Sequence, residues 1–320
     1  MLALLLLPLA SLAASSPVTT SYNNCAPISG NFTIHSPNLY PESADFDSKR
    51  CLTYISNLYI NTVSAYDANK KIITDTMKMP GITGNPDFHT SGIRIDAPRD
   101  QLSIIVSGAQ AWLTSGKNIS GDNFLVKYDL KKNKVNWQYN LTTLGQGIYG
   151  GFQDVVHDRL GNSFVLGTYS SSIIKVSADG KSATPWYYNS ARSDVDGFTG
   201  LVAYQDEDLL LVTDDEKGQI LRFDLRAEKG KPVHVPLQAG AEPIGSNMDG
   251  AYSPWTKAEK LGTIVNAYAP QATSSTSVVE IGQRLYVVTE FWDGSTPGKP
   301  LDRTEFPFRD ITDEVKKLLL

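Results

Sequence analysis

Residues 151–180 read GFQDVVHDRLGNSFVLGTYSSSIIKVSADG. Apolar β-formers bounded by Gly, Asn and Asp mark three short strands here. Phe152 to His157 enters, Arg159 to Asn162 turns, Ser163 to Thr168 is the second strand and Ile173 to Val176 the third. A meander of this size cannot bury both of its faces alone. The fold therefore depends on whether the chain repeats it.

It does. His89 to Asp96, Leu102 to Gly108 and Phe124 to Leu130 form an earlier copy. Gly197 to Tyr204, Asp208 to Asp214 and Gln219 to Leu225 form a later one. The first apolar residues of the entering strands are Ile93, Val155, Leu201 and Ala251, with steps of 62, 46 and 50 residues. The third strands end in Tyr66-Asp67, Tyr128-Asp129, Val176-Ser177 and Phe223-Asp224, with steps of 62, 48 and 47. Multi-stranded units at this period are propeller blades. The long first step is largely the loop Gln110 to Asp122.

Blades are predicted to begin near residues 51, 93, 155, 201 and 248, and a sixth contains Ser277 to Ile281 and Arg284 to Phe291. The expected architecture is all-β, a six-bladed β-propeller of NHL or SMP-30 type, closed by a strand near Asn31. One unit is short: Ala251 to Val278 spans 27 residues, too few for four strands, so the fifth blade reads as truncated.

Composition fits a globular protein: 320 residues, 41% hydrophobic, 20% charged and a formal net charge of −5. The basic residues are scattered, which argues against nucleic acid as a partner. Leu2 to Leu12 is almost wholly apolar and is followed by small residues, the pattern of a signal peptide cleaved near Ala13. Residues 1–14 are read as that peptide and 15–320 as one propeller domain. The run is too short to span a bilayer. Cys25 and Cys51 could pair in an oxidising compartment, and Asn31, Asn118 and Asn140 head N-glycosylation sequons. Together these predict a secretory route, with the protein secreted or held in a vesicle or vacuole.

In a propeller the entering strands line the central channel, so residues just before them are the candidate site. Those are His89 and Ser91, then Phe152, Gln153 and Asp154, then Phe198 and Thr199, then Asn247 and Asp249. Tyr54 and Asn57 in the first unit, and Glu290, Phe291 and Trp292 in the last, could join them. Hydrogen-bonding groups among large aromatics suit an organic ligand. The loop Gly145 to Gly151 lacks a phosphate-binding context and reads as a pocket rim. Asp154 has a plainer reading, as a tie between strands through backbone N–H groups. His157 reads as structural, Tyr66, Tyr128 and Phe223 as core, Trp186 to Tyr188 as cover for a blade interface or pocket edge, and Asp214 to Glu216 as a solvated turn. No GxSxG, HExxH or CxxC motif occurs.

The motifs GFQDVVHD, NMDGAYSP, CLTYISNLY, WTKAEKLGTIVN and RLYVVTEFW with FPFRDIT resemble fungal secondary-metabolite-cluster propellers. That family includes trichothecene-cluster propeller proteins and hetero-Diels–Alderases of tropolone–sesquiterpene pathways. The resemblance implies a cofactor-independent cyclase or pericyclase acting on terpenoid and polyketide small molecules. Its leading expectation is an intermolecular hetero-Diels–Alder reaction between a tropolone o-quinone methide and a humulene-type sesquiterpene. His89, Gln153, Asp154 and Thr199 would be catalytic. The remaining mouth residues would bind substrate: Tyr54, Asn57, Ser91, Phe152, Phe198, Asn247, Asp249, Glu290, Phe291 and Trp292. The alternatives are a trichothecene-pathway cyclisation protein, a gluconolactonase-like hydrolase holding Ca²⁺ through Asp154, Asn247, Asp249 and Glu290, and a non-catalytic binding propeller.

Overall fold

The structure, a computed structural model, describes residues 25–190, 193–236, 261–268, 271, 273–291 and 302–319. Each sheet within them has four strands, and there are five such sheets. The strand β1 (Phe32–His35) comes first in the chain but belongs to the last sheet. The first blade is β2 (Pro41–Asp47), β3 (Leu52–Asn57), β4 (Thr62–Asp67) and β5 (Ile72–Lys78). The second is β6 (Phe88–Asp96), β7 (Gln101–Gly108), β8 (Phe124–Asp129) and β9 (Lys134–Asn140). The third is β10 (Gly150–His157), β11 (Ser163–Tyr169), β12 (Ser172–Val176) and β13 (Ala183–Tyr188). The fourth is β14 (Phe198–Tyr204), β15 (Leu209–Asp214), β16 (Gln219–Asp224) and β17 (Val233–Val235). The last contains β18 (Thr273–Ile281), β19 (Arg284–Phe291) and β20 (Glu305–Asp310), with β1 paired to β20 as its outer strand.

The protein is thus an all-β propeller, and the predicted closure by residues near Asn31 is present, with Phe32 opposite Phe308. The count of six needs correction: the described residues form five blades. The expected fifth unit contributes no sheet to them, and its entering residues fall in 237–260, outside the described residues. The start of the first blade also moves. Its innermost strand is β2, PESADFD, and the predicted entering strand CLTYISNL is the second one, β3.

Burial explains why. Second and third strands are covered on both faces: every residue of β4 and β11 is buried. Strands of that kind are written in near-continuous apolar and β-branched residues. The innermost β2 is packed chiefly at its ends and middle and has few β-formers. Outer strands such as β9 alternate exposed and half-buried.

The core is divided among the blade interfaces. Ala44, Ile55 and Tyr66 meet Ile34, Val288, Phe306 and Phe308 of the last blade. Val63 and Met77 meet Ile93, Ile104 and Tyr128. Ile105 and Leu125 meet Phe152, Val155 and Ile174. Phe164 and Trp186 meet Phe198, Val212 and Phe223. Each fully buried aromatic or aliphatic side chain of this kind contributes about 1.5–3 kcal/mol, so the interfaces hold the ring together. Tyr66, Tyr128 and Phe223 are core residues as expected, and Trp186 seals the third interface with Phe164 at 4.9 Å. Cys25 and Cys51 form a disulfide that encloses β1 within its loop.

Candidate functional site

Innermost strands pack side by side in the order β18, β2, β6, β10, β14. Each carries a one-residue bulge against its second strand, near the end where it enters the sheet. The register skips between Pro41 and Ala44, Thr90 and Ile93, Phe152 and Asp154, Phe198 and Gly200, and Ser275 and Ser277. A bulge frees one residue from the ladder and re-aims it, which is why bulges gather at functional rims. Glu42, Ser91, Gln153, Thr199 and Thr276 hold these equivalent places. The repeat anchors Ile93, Val155 and Leu201 each stand two residues after Ser91, Gln153 and Thr199 and pack into the interfaces.

Several of these side chains bind the ring to itself. Ser91 Oγ donates to the Phe152 carbonyl at 3.2 Å. Gln153 Nε2 donates to the Thr199 carbonyl at 3.2 Å, while Thr168 Oγ1 donates to Gln153 Oε1 at 2.7 Å. Thr199 Oγ1 lies 3.1 Å from Thr213 Oγ1 and donates to Asp215 Oδ1 at 3.0 Å. Asp215 thus accepts from a bulge residue and Asp214 beside it is 2% exposed, so the solvated-turn reading is corrected for these two, while Glu216 is an exposed turn residue.

Asp154 accepts from the N–H groups of Val155, at 2.7 Å, and Leu201. Asp45 does the same two interfaces earlier, accepting from Phe46 at 2.9 Å and Ile95 at 2.8 Å. Arg94, on the strand between them, faces both carboxylates. Burial pushes both carboxyl pKa values up, and Arg94 pulls them back. Both residues keep some accessible surface, yet protein surrounds them; a narrow channel gives that combination. The geometry of Asp154 is that of a strand tie.

His89 precedes the bulge of β6 and is 5% exposed. Burial lowers its pKa to about 4, so at neutral pH the imidazole is uncharged and offers one donor and one acceptor. Tyr59 meets it edge-on at 5.5 Å, and Tyr40 continues the aromatic row at 5.2 Å from Tyr59. Ser107 is the ladder partner of His89 and accepts from Trp112 Nε1 at 2.8 Å. Trp112 comes from α1 (Gln110–Leu113) in the long loop of the second blade, and its ring lies 5.5 Å from that of Tyr169. A Cβ at Gly151 would stand 2.6 Å from the Tyr169 ring, and Gly151 has φ +59°, so this position requires glycine twice over. The rim loop Gly145 to Gly151 brings Tyr149 onto Tyr188 at 4.0 Å.

Other predicted residues lie elsewhere. Tyr54 and Asn57 sit on the second strand β3, 2% and 1% exposed. Burial raises the Tyr54 pKa, and Asn57 Nδ2 donates to Thr62 Oγ1 and Ser64 Oγ. Phe152, Phe198 and Phe291 are at most 1% exposed and pack within the protein rather than lining open space. Glu290 lies on β19 opposite Ser274. Asn247, Asp249 and Trp292 fall outside the described residues, which hold no group of three or more His, Cys, Asp or Glu able to bind a metal. The sequon residues Asn31, Asn118 and Asn140 are all exposed. His157 is buried, with Nε2 2.9 Å from Ser103 Oγ. No described helix is long and apolar enough to cross a membrane.

Sequence reading missed Glu42, Thr276, Tyr59, Ser107, Trp112 and Tyr169. A tryptophan in the one oversized loop was a usable signal for Trp112; the others depend on register.

A family model described as Mal s 1 allergenic protein-like matches residues 18–284. Trichothecene biosynthesis protein 14 of Trichoderma arundinaceum is 31% identical over 335 residues, covering 92% of both chains. Core trichothecene cluster (CTC) protein 14 of Fusarium sporotrichioides is 32% identical over 322 residues, covering 88% of this chain and 84% of the other. The crystal structure of the major Malassezia sympodialis allergen Mala s 1 superposes with a TM-score of 0.74 at 19% identity, covering 89% of this chain and 96% of that one.

Proposed function

The chain belongs to the Mal s 1 allergenic protein-like family, and from that premise we propose that it is a cofactor-independent cyclase of fungal secondary metabolism, acting on a terpenoid held at the bulge-lined mouth. The observation that carries this reading is His89: a buried, neutral imidazole at about pKa 4, set beside Ser91 and an aromatic row. Such a group can donate to a carbonyl without bringing a charge into an apolar site.

The finer assignment is an intermolecular hetero-Diels–Alder reaction. An o-quinone methide and an alkene of the sesquiterpene form one C–C and one C–O bond from existing π electrons, with no atom lost and no net redox change. Holding both partners in a reactive pose supplies at best about 7–11 kcal/mol. Donation from His89 to the quinone-methide oxygen, where charge grows in the transition state, adds on the order of a few kcal/mol. Ser91 and Gln153 keep the strands, and so the pose, in register through their bonds across blades, while the Thr199 hydroxyl binds Asp215 within the fourth blade. A secretory location is part of the proposal and fits the Cys25–Cys51 disulfide.

A second substrate assignment is favoured by the names of two relatives, both of trichothecene clusters: a ring-forming step on a trichothecene precursor. One experiment separates the two. The purified chain is incubated with a quinone-methide precursor plus humulenol, and separately with trichothecene-pathway intermediates. A faster rate, or a product ratio and stereochemistry unlike the spontaneous reaction, identifies the substrate. Unchanged rates and ratios in both arms overturn the cyclase reading in favour of a binding propeller.

A further inference from the structure

The last blade uses its two faces differently. Val279, Ile281, Tyr286 and Val288 pack against the first blade. Side chains alternate along a strand, so Val278, Val287 and Thr289 are turned away from it. Ladder pairing sets Val278 opposite Val287, Val287 opposite Arg309, and Ser275 opposite Thr289. Residues 261–268 form no strand, and Arg309 Nη1 holds them across this face by donating to the Val265 carbonyl at 2.7 Å. Between them and the sheet lies a cavity of about 160 Å³, lined among others by Ile264, Tyr268, Val278, Val287 and Thr289. Val278 is 39% exposed and Val265 72%, so the cavity opens to solvent beside them. Thr289, by contrast, is 1% exposed, and its Oγ1 has no hydrogen-bond partner.

We propose that this cavity is a second small-molecule site, apart from the mouth, for a neutral, ring-sized carbonyl compound. Neither His89 nor any bulge residue lines it, so the proposal stands independently of the cyclase reading. Size sets the first limit: an apolar cavity of about 150 Å³ accepts a benzene ring, so this one suits a single ring. Charge sets the second. Arg309 Nη2 already donates to both Glu314 oxygens, at 2.6 and 2.8 Å, so its charge is matched within the protein and attracts no anion. Thr289 sets the third. A buried hydroxyl without a partner carries a desolvation penalty, and a ligand carbonyl accepting from Oγ1 removes it. A hydrocarbon ring of the same size packs on Val278 and Val287 but leaves that hydroxyl unpaired.

The test follows the methyl NMR signals of Val278, Val287 and Thr289 in the full chain as cyclohexanone or toluene, rings of equal size, is added. Wild type is expected to show saturable shifts with cyclohexanone. Thr289→Val keeps the side-chain shape without the donor. It should weaken cyclohexanone roughly 2- to 10-fold, the range of one neutral hydrogen bond, and leave toluene unchanged. Without ligand this variant should melt no lower than wild type, because the unpaired hydroxyl is gone. Val287→Phe fills the cavity and should abolish the cyclohexanone shifts at Val278 and Thr289. Val278→Phe, at the open edge, carries that arm if Val287→Phe does not fold. Cyclohexanone giving no saturable shift at these methyls in wild type overturns the inference. So does a Thr289→Val variant that binds cyclohexanone as tightly as wild type, or that weakens both probes equally.

Discussion

Gly92 lies against Gln153 so closely that a Cβ on it would stand 2.3 Å from the Gln153 carbonyl oxygen and 2.7 Å from the Asp154 Cα. The obstruction is backbone, which no rotamer change relieves. Gly92→Ala must therefore push β6 from β10 at the mouth. The expected cost is about 2–3 kcal/mol, the upper part of the usual overpacking range. Denaturant titration checks it, and an unchanged midpoint would show that the innermost strands are not held at this spacing.

His89 ties stability to acid. Its pKa falls from 6.5 to about 4 on folding because burial disfavours the imidazolium. Between those values the unfolded chain binds a proton that the folded chain refuses, so stability is lost as pH drops from about 6.5 to 4. The gap amounts to about 3 kcal/mol. His157, also lowered by burial, acts in the same direction. In His89→Gln the loss across this window should shrink by about that amount, measured by urea unfolding at pH 7 and pH 4.5. An identical pH slope in wild type and variant would refute the assignment.

Lys127 acts with the same sign on the alkaline side. It is fully buried, 3.7 Å from Asp96 Oδ2, and its Nζ makes no hydrogen bond. Burial outweighs the attraction of Asp96 and lowers the pKa to about 8 from 10.5. The unfolded chain then holds the extra proton between pH 8 and 10.5, so stability rises with pH across that range. Lys127→Met should abolish the rise. At pH 7 it should stabilise the fold by about 1–3 kcal/mol, since Asp96 keeps Arg99 at 3.0 Å. A lower melting temperature at pH 7 would show the ion pair to be a net stabiliser.

The Cys25–Cys51 bridge spans 26 residues and encloses the ring-closing strand β1. Replacing both cysteines by serine should cost about 3–3.5 kcal/mol by loop entropy. The first region to lose amide-exchange protection should be β1 with β20. Loss of protection elsewhere first would mean that closure does not depend on the bridge.

Under the cyclase reading, ring formation should survive EDTA without change in rate, because the polarising group is His89. Loss of activity on chelation, restored by Ca²⁺, would favour the hydrolase alternative and direct attention to carboxylates such as Asp154 and Glu290.

Much of the site was legible because the repeat was. Ile93, Val155 and Leu201 were aligned by period alone, and the bulges place them at one register position. Ser91, Gln153 and Thr199 followed from that alignment. The first blade misled because CLTYISNL, buried on both faces, is the stronger strand by composition, and PESADFD reads as a linker. Tyr54 and Asn57 were thereby placed one strand too far in, and Glu42 was passed over. The predicted stacking aromatics Phe152 and Phe198 are apolar in the right places, but a local pattern cannot distinguish a ring facing a ligand from one facing the next blade.

Taken alone, the sequence determined the all-β class, the repeat, the closing strand, the cysteine pairing and the shortness of one unit. These are written in local composition and spacing: strands covered on both faces must be continuously apolar, and turns need Gly, Asn and Asp. Tertiary structure alone decided which strand of the first blade is innermost, that five blades form in the described chain, that Asp154 ties β10 to β14, and that Glu42 and Thr276 hold bulge positions equivalent to those of Ser91, Gln153 and Thr199. Those features come from hydrogen bonds and bulges between strands distant in the chain. No local pattern encodes them.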